Sequence, residues 1–168
     1  MYSVILVDDE VFSRIGLRNL IDWEACGFSV TGEADNGEDA LALVRRDKPD
    51  LVITDIRMPV MDGLELIRRV REDESVSDTE FIIISGYDDF AYAQKAVRYG
   101  VVDFILKPVD DGELERVLKE LANKLDRDRL ERERQTLLLN EQMVSALIRG
   151  DAQETEIGKW AESQGYRP

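Results

Sequence analysis

The chain has 168 residues, with 22 Lys and Arg against 36 Asp and Glu, a formal charge of −14. That length holds one domain of ordinary size plus an appendage, and so acidic a balance argues against direct contact with a phosphate backbone. With no histidine and one cysteine, Cys26, it excludes an imidazole base or ligand, an internal disulfide and a CxxC zinc site, and it fits a reducing cytoplasm.

The first apolar run is Val4-Ile5-Leu6-Val7, followed by a helical stretch at about 11–22. Phe28-Ser29-Val30-Thr31 alternates apolar with small polar residues and is placed at a sheet edge, with a helix expected at 37–47. Leu51-Val52-Ile53 comes next, then a helix at 63–73, where Asp62 stands three residues before Glu65 as an Asp form of the capping box. Phe81-Ile82-Ile83-Ile84 precedes a helix at 88–99, whose end is marked by Gly100. The last run is Val101–Leu106, and Asp110 and Glu113 repeat the capping pattern before a fifth helix from about 111. Continuous β-branched runs alternating with amphipathic stretches predict an open, doubly wound α/β sheet with helices on both faces. No apolar run approaches the ~18 residues of a membrane span.

Beyond 110, Leu114, Val117, Leu118, Leu121 and Leu125 form a stripe that packs a last helix on the sheet. Residues 126–134 are almost wholly charged, and apolar positions return at Leu137, Leu138, Leu139, Met143, Val144, Leu147 and Ile148. The 3–4 seam is broken between them, so the pattern suits one helix to 149 or two that bend at the charged segment. A further short helix is expected at 154–164.

Four of the five apolar runs lead into a chemically capable residue: Asp8-Asp9-Glu10, Asp55, Ser85 and Lys107-Pro108. In a parallel sheet these land on one rim, outside the carboxyl ends of the strands, where ligands bind. Taken singly each has a plainer explanation: acidic residues favour helix starts, Asp55 could cap a turn, Ser85 could end a strand, and Pro108 could stop a ladder. Together they make a site. Crowded carboxylates call for a cation, and an all-oxygen donor set points to Mg²⁺. Lys107 can bind a phosphoryl oxygen and Ser85 can donate to one, a constellation for making and breaking an aspartyl phosphate.

Val7-Asp8-Asp9-Glu10, Thr54-Asp55-Ile56-Arg57-Met58-Pro59-Val60-Met61-Asp62-Gly63, Ser85-Gly86 and Lys107-Pro108 together resemble the receiver domain of two-component response regulators. The resemblance covers about residues 1–125 and implies a five-stranded parallel sheet in order 2-1-3-4-5. It implies that Asp55 is the phosphoacceptor for a partner histidine kinase. Asp8, Asp9, Asp55 and the backbone carbonyl of Arg57 would hold Mg²⁺, and Ser85 and Lys107 would contact the phosphoryl group. The Lys107-Pro108 bond would be cis, which aims Lys107 into the site.

In the same resemblance Ser85 and Phe104 form the switch, with Phe in place of the family's usual Tyr. Phosphorylation would alter the face made by helix 88–99, strand 101–106 and the last helix, and drive homodimerisation. Arg57 and Tyr87 would flank the path of hydrolytic water and slow dephosphorylation. Such a chain accepts one group and is not a turnover enzyme.

The stretch Ser85-Gly86-Tyr87-Asp88-Asp89-Phe90-Ala91-Tyr92-Ala93 and Ile21-Asp22-Trp23 resemble receivers attached to AraC-type helix-turn-helix output domains. On that basis residues 126–150 are a helical linker, 151–168 begin a truncated linker or output region, and DNA is contacted only through an output domain absent from this chain. Haloacid-dehalogenase-like phosphatases combine similar groups, but their nucleophile sits in a D-x-D pattern, and here Glu10 stands two after Asp8. A dimerisation adaptor that is never phosphorylated is the third reading.

Overall fold

The computed structural model describes residues 1–86 and 90–149, with Phe90 and Arg149 described by backbone alone. Five strands run β1 (Tyr2–Val7), β2 (Phe28–Ala34), β3 (Leu51–Thr54), β4 (Glu80–Ser85) and β5 (Asp103–Leu106). Alternating with them are α1 (Val11–Leu20), α2 (Gly37–Asp47), α3 (Gly63–Glu72), α4 (Phe90–Arg98) and α5 (Asp111–Arg149). The strands form one parallel sheet in order β2-β1-β3-β4-β5, the expected topology.

β3 is buried along its whole length, because both sheet faces are covered. One face packs Ile5, Val7, Val52, Phe81 and Ile83 against Leu41, Val44, Leu66, Ile67, Val70 and Ala96 of α2, α3 and α4. The alternate residues Val4, Leu6, Leu51, Ile53 and Ile82 are buried as well, as are Leu114, Val117, Leu118 and Leu121 of α5. β2 lies at the edge, where Ser29, Thr31 and Glu33 face solvent.

The boundaries differ from expectation where backbone bonds decide them. β2 continues to Ala34 by pairing with β1 past a register shift at Val4/Ile5. β5 begins at Asp103 rather than 101, because the Val101 amide bonds back to the Ala96 carbonyl and closes the end of α4. Gly100 takes a φ of 72°, the left-handed conformation that closure needs. At α3 the Asp62 side chain caps the Glu65 amide at 2.8 Å, while the Glu65 carboxylate turns to Arg68 and Arg69 rather than completing the box. α1 stops at Leu20, two residues short of expectation.

α5 is one helix through the charged segment. No Gly or Pro occurs between Gly112 and Gly150 to break it, and side chains one turn apart pair along it, as Arg129 does with Asp126. Two compact units are distinguished, Met1–Ala122 and Asn123–Pro168. Among the described residues no helix is long and apolar enough to cross a membrane. The expected helix at 154–164 lies outside the described residues.

Candidate phosphoacceptor site

Sheet register brings the rim residues together. The Asp55 amide bonds the Val7 carbonyl at 3.0 Å and the Asp8 amide bonds the Ala34 carbonyl at 3.1 Å, so both acids continue the ladder just past their strands. The Lys107 amide bonds the Ser85 carbonyl at 2.8 Å, which sets β5's end against β4's. The Lys107-Pro108 peptide bond is cis, as the resemblance implies.

The Lys107 ammonium bridges two carboxylates, with Nζ 2.9 Å from Asp8 Oδ2 and 3.0 Å from Asp55 Oδ2. Asp8 and Asp55 are buried and Lys107 is half-buried. Burial pulls the lysine pKa down, but the hydrogen bonds and charges of the two acids outweigh it and leave the pKa raised. The other Asp55 oxygen, Oδ1, accepts from the Ile56 amide at 2.6 Å, so the carboxylate is oriented at both ends. Asp8 Oδ1 accepts from the Glu10 amide at 2.9 Å.

Asp9, exposed beside them, has its pKa raised by burial of its charged form and then by the Asp8 charge. Asp8, Asp9 and Asp55 each offer a carboxylate oxygen within 4.8 Å of the others. Three hard oxygen donors, with one lysine against three acids, fit a divalent cation of the Mg²⁺ type that keeps several waters. A cavity of about 320 Å³ adjoins Asp8, Asp55 and Lys107, walled largely by Leu6, Leu17, Ile53 and Ile84. Apolar walls lower the local dielectric and strengthen each charge interaction at the rim.

The loop after Asp55 is shaped by contacts that tolerate few residue types. Met61 donates its amide to the Pro59 carbonyl at 2.7 Å across Val60, which takes a φ of 69°, a γ-turn at a β-branched residue. A Cβ at Gly63 would stand 2.1 Å from the Asp55 carbonyl oxygen, so only glycine lets α3 begin this close to the site.

Ser85 is fully buried at the end of β4. Phe104, three residues before Lys107, is half-buried against the α2–α3–α4 core. Arg57 is exposed, and its guanidinium carbon lies 5.9 Å from the Tyr92 ring centroid on α4. Tyr87 lies outside the described residues.

Two contacts escaped the sequence reading. Arg14 Nη1 donates to the Asp8 carbonyl, and its place one turn into α1, with side chains slanting toward the helix start, is a signal that could have located it. Tyr92 under Arg57 has no such signal, since the contact joins the loop after β3 to α4.

The parallel sheet in order β2-β1-β3-β4-β5, with Asp8, Asp9 and Asp55 clustered at its carboxyl rim and Lys107 bridging Asp8 and Asp55, has the receiver fold. The response regulator receiver domain profile matches residues 4–119, and the chain belongs to that family. It is 37% identical over 164 residues to the transcriptional regulatory protein YesN of Bacillus subtilis (strain 168), covering 91% of this chain and 44% of that protein. It is 40% identical over 125 residues to the transcriptional regulatory protein HptR of Staphylococcus aureus (strain N315), covering 74% of this chain and 48% of that one. The structure of the receiver domain of AraT, a response regulator from Geobacillus stearothermophilus, superposes with a TM-score of 0.70 at 40% identity, covering 76% of this chain and 98% of that domain. The chain thus spans about half the length of the curated relatives it matches.

Proposed function

We propose that this chain is the phosphoacceptor domain of a two-component transcription regulator. Asp55 takes a phosphoryl group from a phosphohistidine of a sensor histidine kinase: an O–P bond forms as the N–P bond breaks, and the imidazole is the leaving group. The bridge from Lys107 Nζ to Asp8 and Asp55 carries this reading. An ammonium already paired with the carboxylate read as the nucleophile stands where transferred charge would accumulate.

Asp8, Asp9, Asp55 and the Arg57 carbonyl would hold Mg²⁺, which supplies Lewis-acid charge for the phosphoryl oxygens. Lys107 pairs with a phosphoryl oxygen and buried Ser85 donates to another. The gained charge, about −1.5 to −2, draws the end of β4 inward, and Phe104 follows by packing alone because it has no hydroxyl to bond. The α4–β5–α5 face then favours a homodimer, a shift of a pre-existing equilibrium. Arg57 and Tyr87 slow hydrolysis of the acyl phosphate.

The names of YesN and HptR support a transcriptional output, of AraC type by the sequence resemblance, and DNA contact belongs to a region outside these residues. The chain works in the cytoplasm and does not turn over a substrate. Mass spectrometry after treatment with acetyl phosphate and Mg²⁺ tests this, with one phosphoryl adduct expected on the wild type and none on Asp55→Asn. An untouched wild type, or an equally labelled variant, would overturn it. Sedimentation of the same samples reads dimerisation.

A further inference from the structure

Arg57 stands two residues beyond Asp55 in the sequence, and its guanidinium lies over the ring of Tyr92. Tyr92 is half-buried and packed against the core between the sheet and α2–α3–α4, which restrains its ring. Arg57 is exposed, and its long side chain has several rotamers to choose among. A guanidinium at this distance from an aromatic face is attracted to it by the cation–π interaction, in addition to its other contacts.

The geometry points to Tyr92 as a positioning residue for the phosphoacceptor: it holds the Arg57 guanidinium on α4 and so sets how long a phosphoryl group on Asp55 survives. The inference rests on the reading that Asp55 is phosphorylated. Hydrolysis sends water to phosphorus, breaks the P–O bond to Asp55, and returns the carboxylate and inorganic phosphate. A guanidinium drawn to the new phosphoryl charge would cover it against that water. The Tyr92 ring competes for the same guanidinium. While the ring keeps it, the approach of water stays more open.

The full chain is loaded with acetyl phosphate and Mg²⁺, the donor is removed, and the Asp55 adduct is followed by intact-mass spectrometry. Tyr92→Leu is expected to lengthen the half-life about threefold, the scale of one exposed cation–π contact. Tyr92→Phe keeps the ring face and should decay as the wild type does. In an Arg57→Ala background Tyr92→Leu should change nothing, which a merely structural role for Tyr92 would not produce. If leucine unfolds α4, Tyr92→Gln takes its place with the same expected lengthening. Unchanged or faster decay in the ring-less variants, or an equal lengthening without Arg57, overturns the inference while leaving Asp55 as acceptor. A wild type that never gains the adduct ends both.

Discussion

α1 and α3 are both ten-residue helices in the same unit, and they are used in opposite ways. α3 buries Gly63, Leu64, Leu66, Ile67 and Val70, whereas α1 buries none of its residues. Val11, Phe12, Ile15 and Leu20 of α1 are all exposed, Phe12 by 84%. Its ties are instead polar: Arg14 reaches the Asp8 carbonyl, and Arg18 pairs with Glu33 of β2 at 2.8 Å. Both sequences carry apolar residues at helical spacing. An amphipathic pattern therefore licenses a helix but not the depth at which it sits, which depends on what covers it. Both helices start beside the acidic rim, but α1 is lightly packed whereas α3 is buried against the sheet core.

Core truncation should break this comparison most visibly. Ile67→Ala in α3 is expected to cost about 2–5 kcal/mol through lost burial and a cavity, while Ile15→Ala in α1 should cost within about 0.5 kcal/mol, both by urea denaturation. Equal losses would mean α1 is packed far more tightly than its exposure indicates. Helix starts should differ less. Asp62→Ala removes the cap on the Glu65 amide and should cost about 1 kcal/mol, whereas Glu10, which makes no side-chain cap at α1, should be replaceable by Ala with little change on the same urea curves.

The smallest effect sharpens the comparison through pH. Arg68 and then Arg69 hydrogen-bond Glu65 and hold its carboxyl down to about 2. A depressed carboxyl stabilises the fold above its unfolded value near 4.3, and that contribution is lost as the pH falls toward 2. Melting temperatures of wild type and Glu65→Gln should therefore differ at neutral pH and converge in acid. Added salt should shrink the neutral-pH gap, since the pairs face solvent.

Much of the site is legible in the amino-acid sequence. Asp8, Asp55, Ser85 and Lys107 each close an apolar run, and a parallel sheet leaves such residues no place but its carboxyl rim. The order of the strands came from resemblance, since apolar runs alone do not number their neighbours. β5 is shorter than its apolar run because Val101, strand-like in the sequence, spends its amide on the cap of α4. The charged stretch at 126–134 suited a break as well as a helix. Its continuity in α5 fits its helix-favouring Leu, Glu and Arg residues and the absence of any Gly or Pro up to Gly150.

The sequence by itself determined which segments are strands, where helices are capped, and which side chains arrive at the rim. Those features are written in neighbours a few residues apart, through periodicity and local hydrogen bonds. Tertiary structure alone decided that one ammonium spans Asp8 and Asp55, partners 99 and 52 residues away in the chain. It also decided that Arg57 finds Tyr92 and that α1 stays shallow while α3 is buried. Such contacts are set by sheet register and by the helices that cover each face, and no local pattern encodes a distance across the fold.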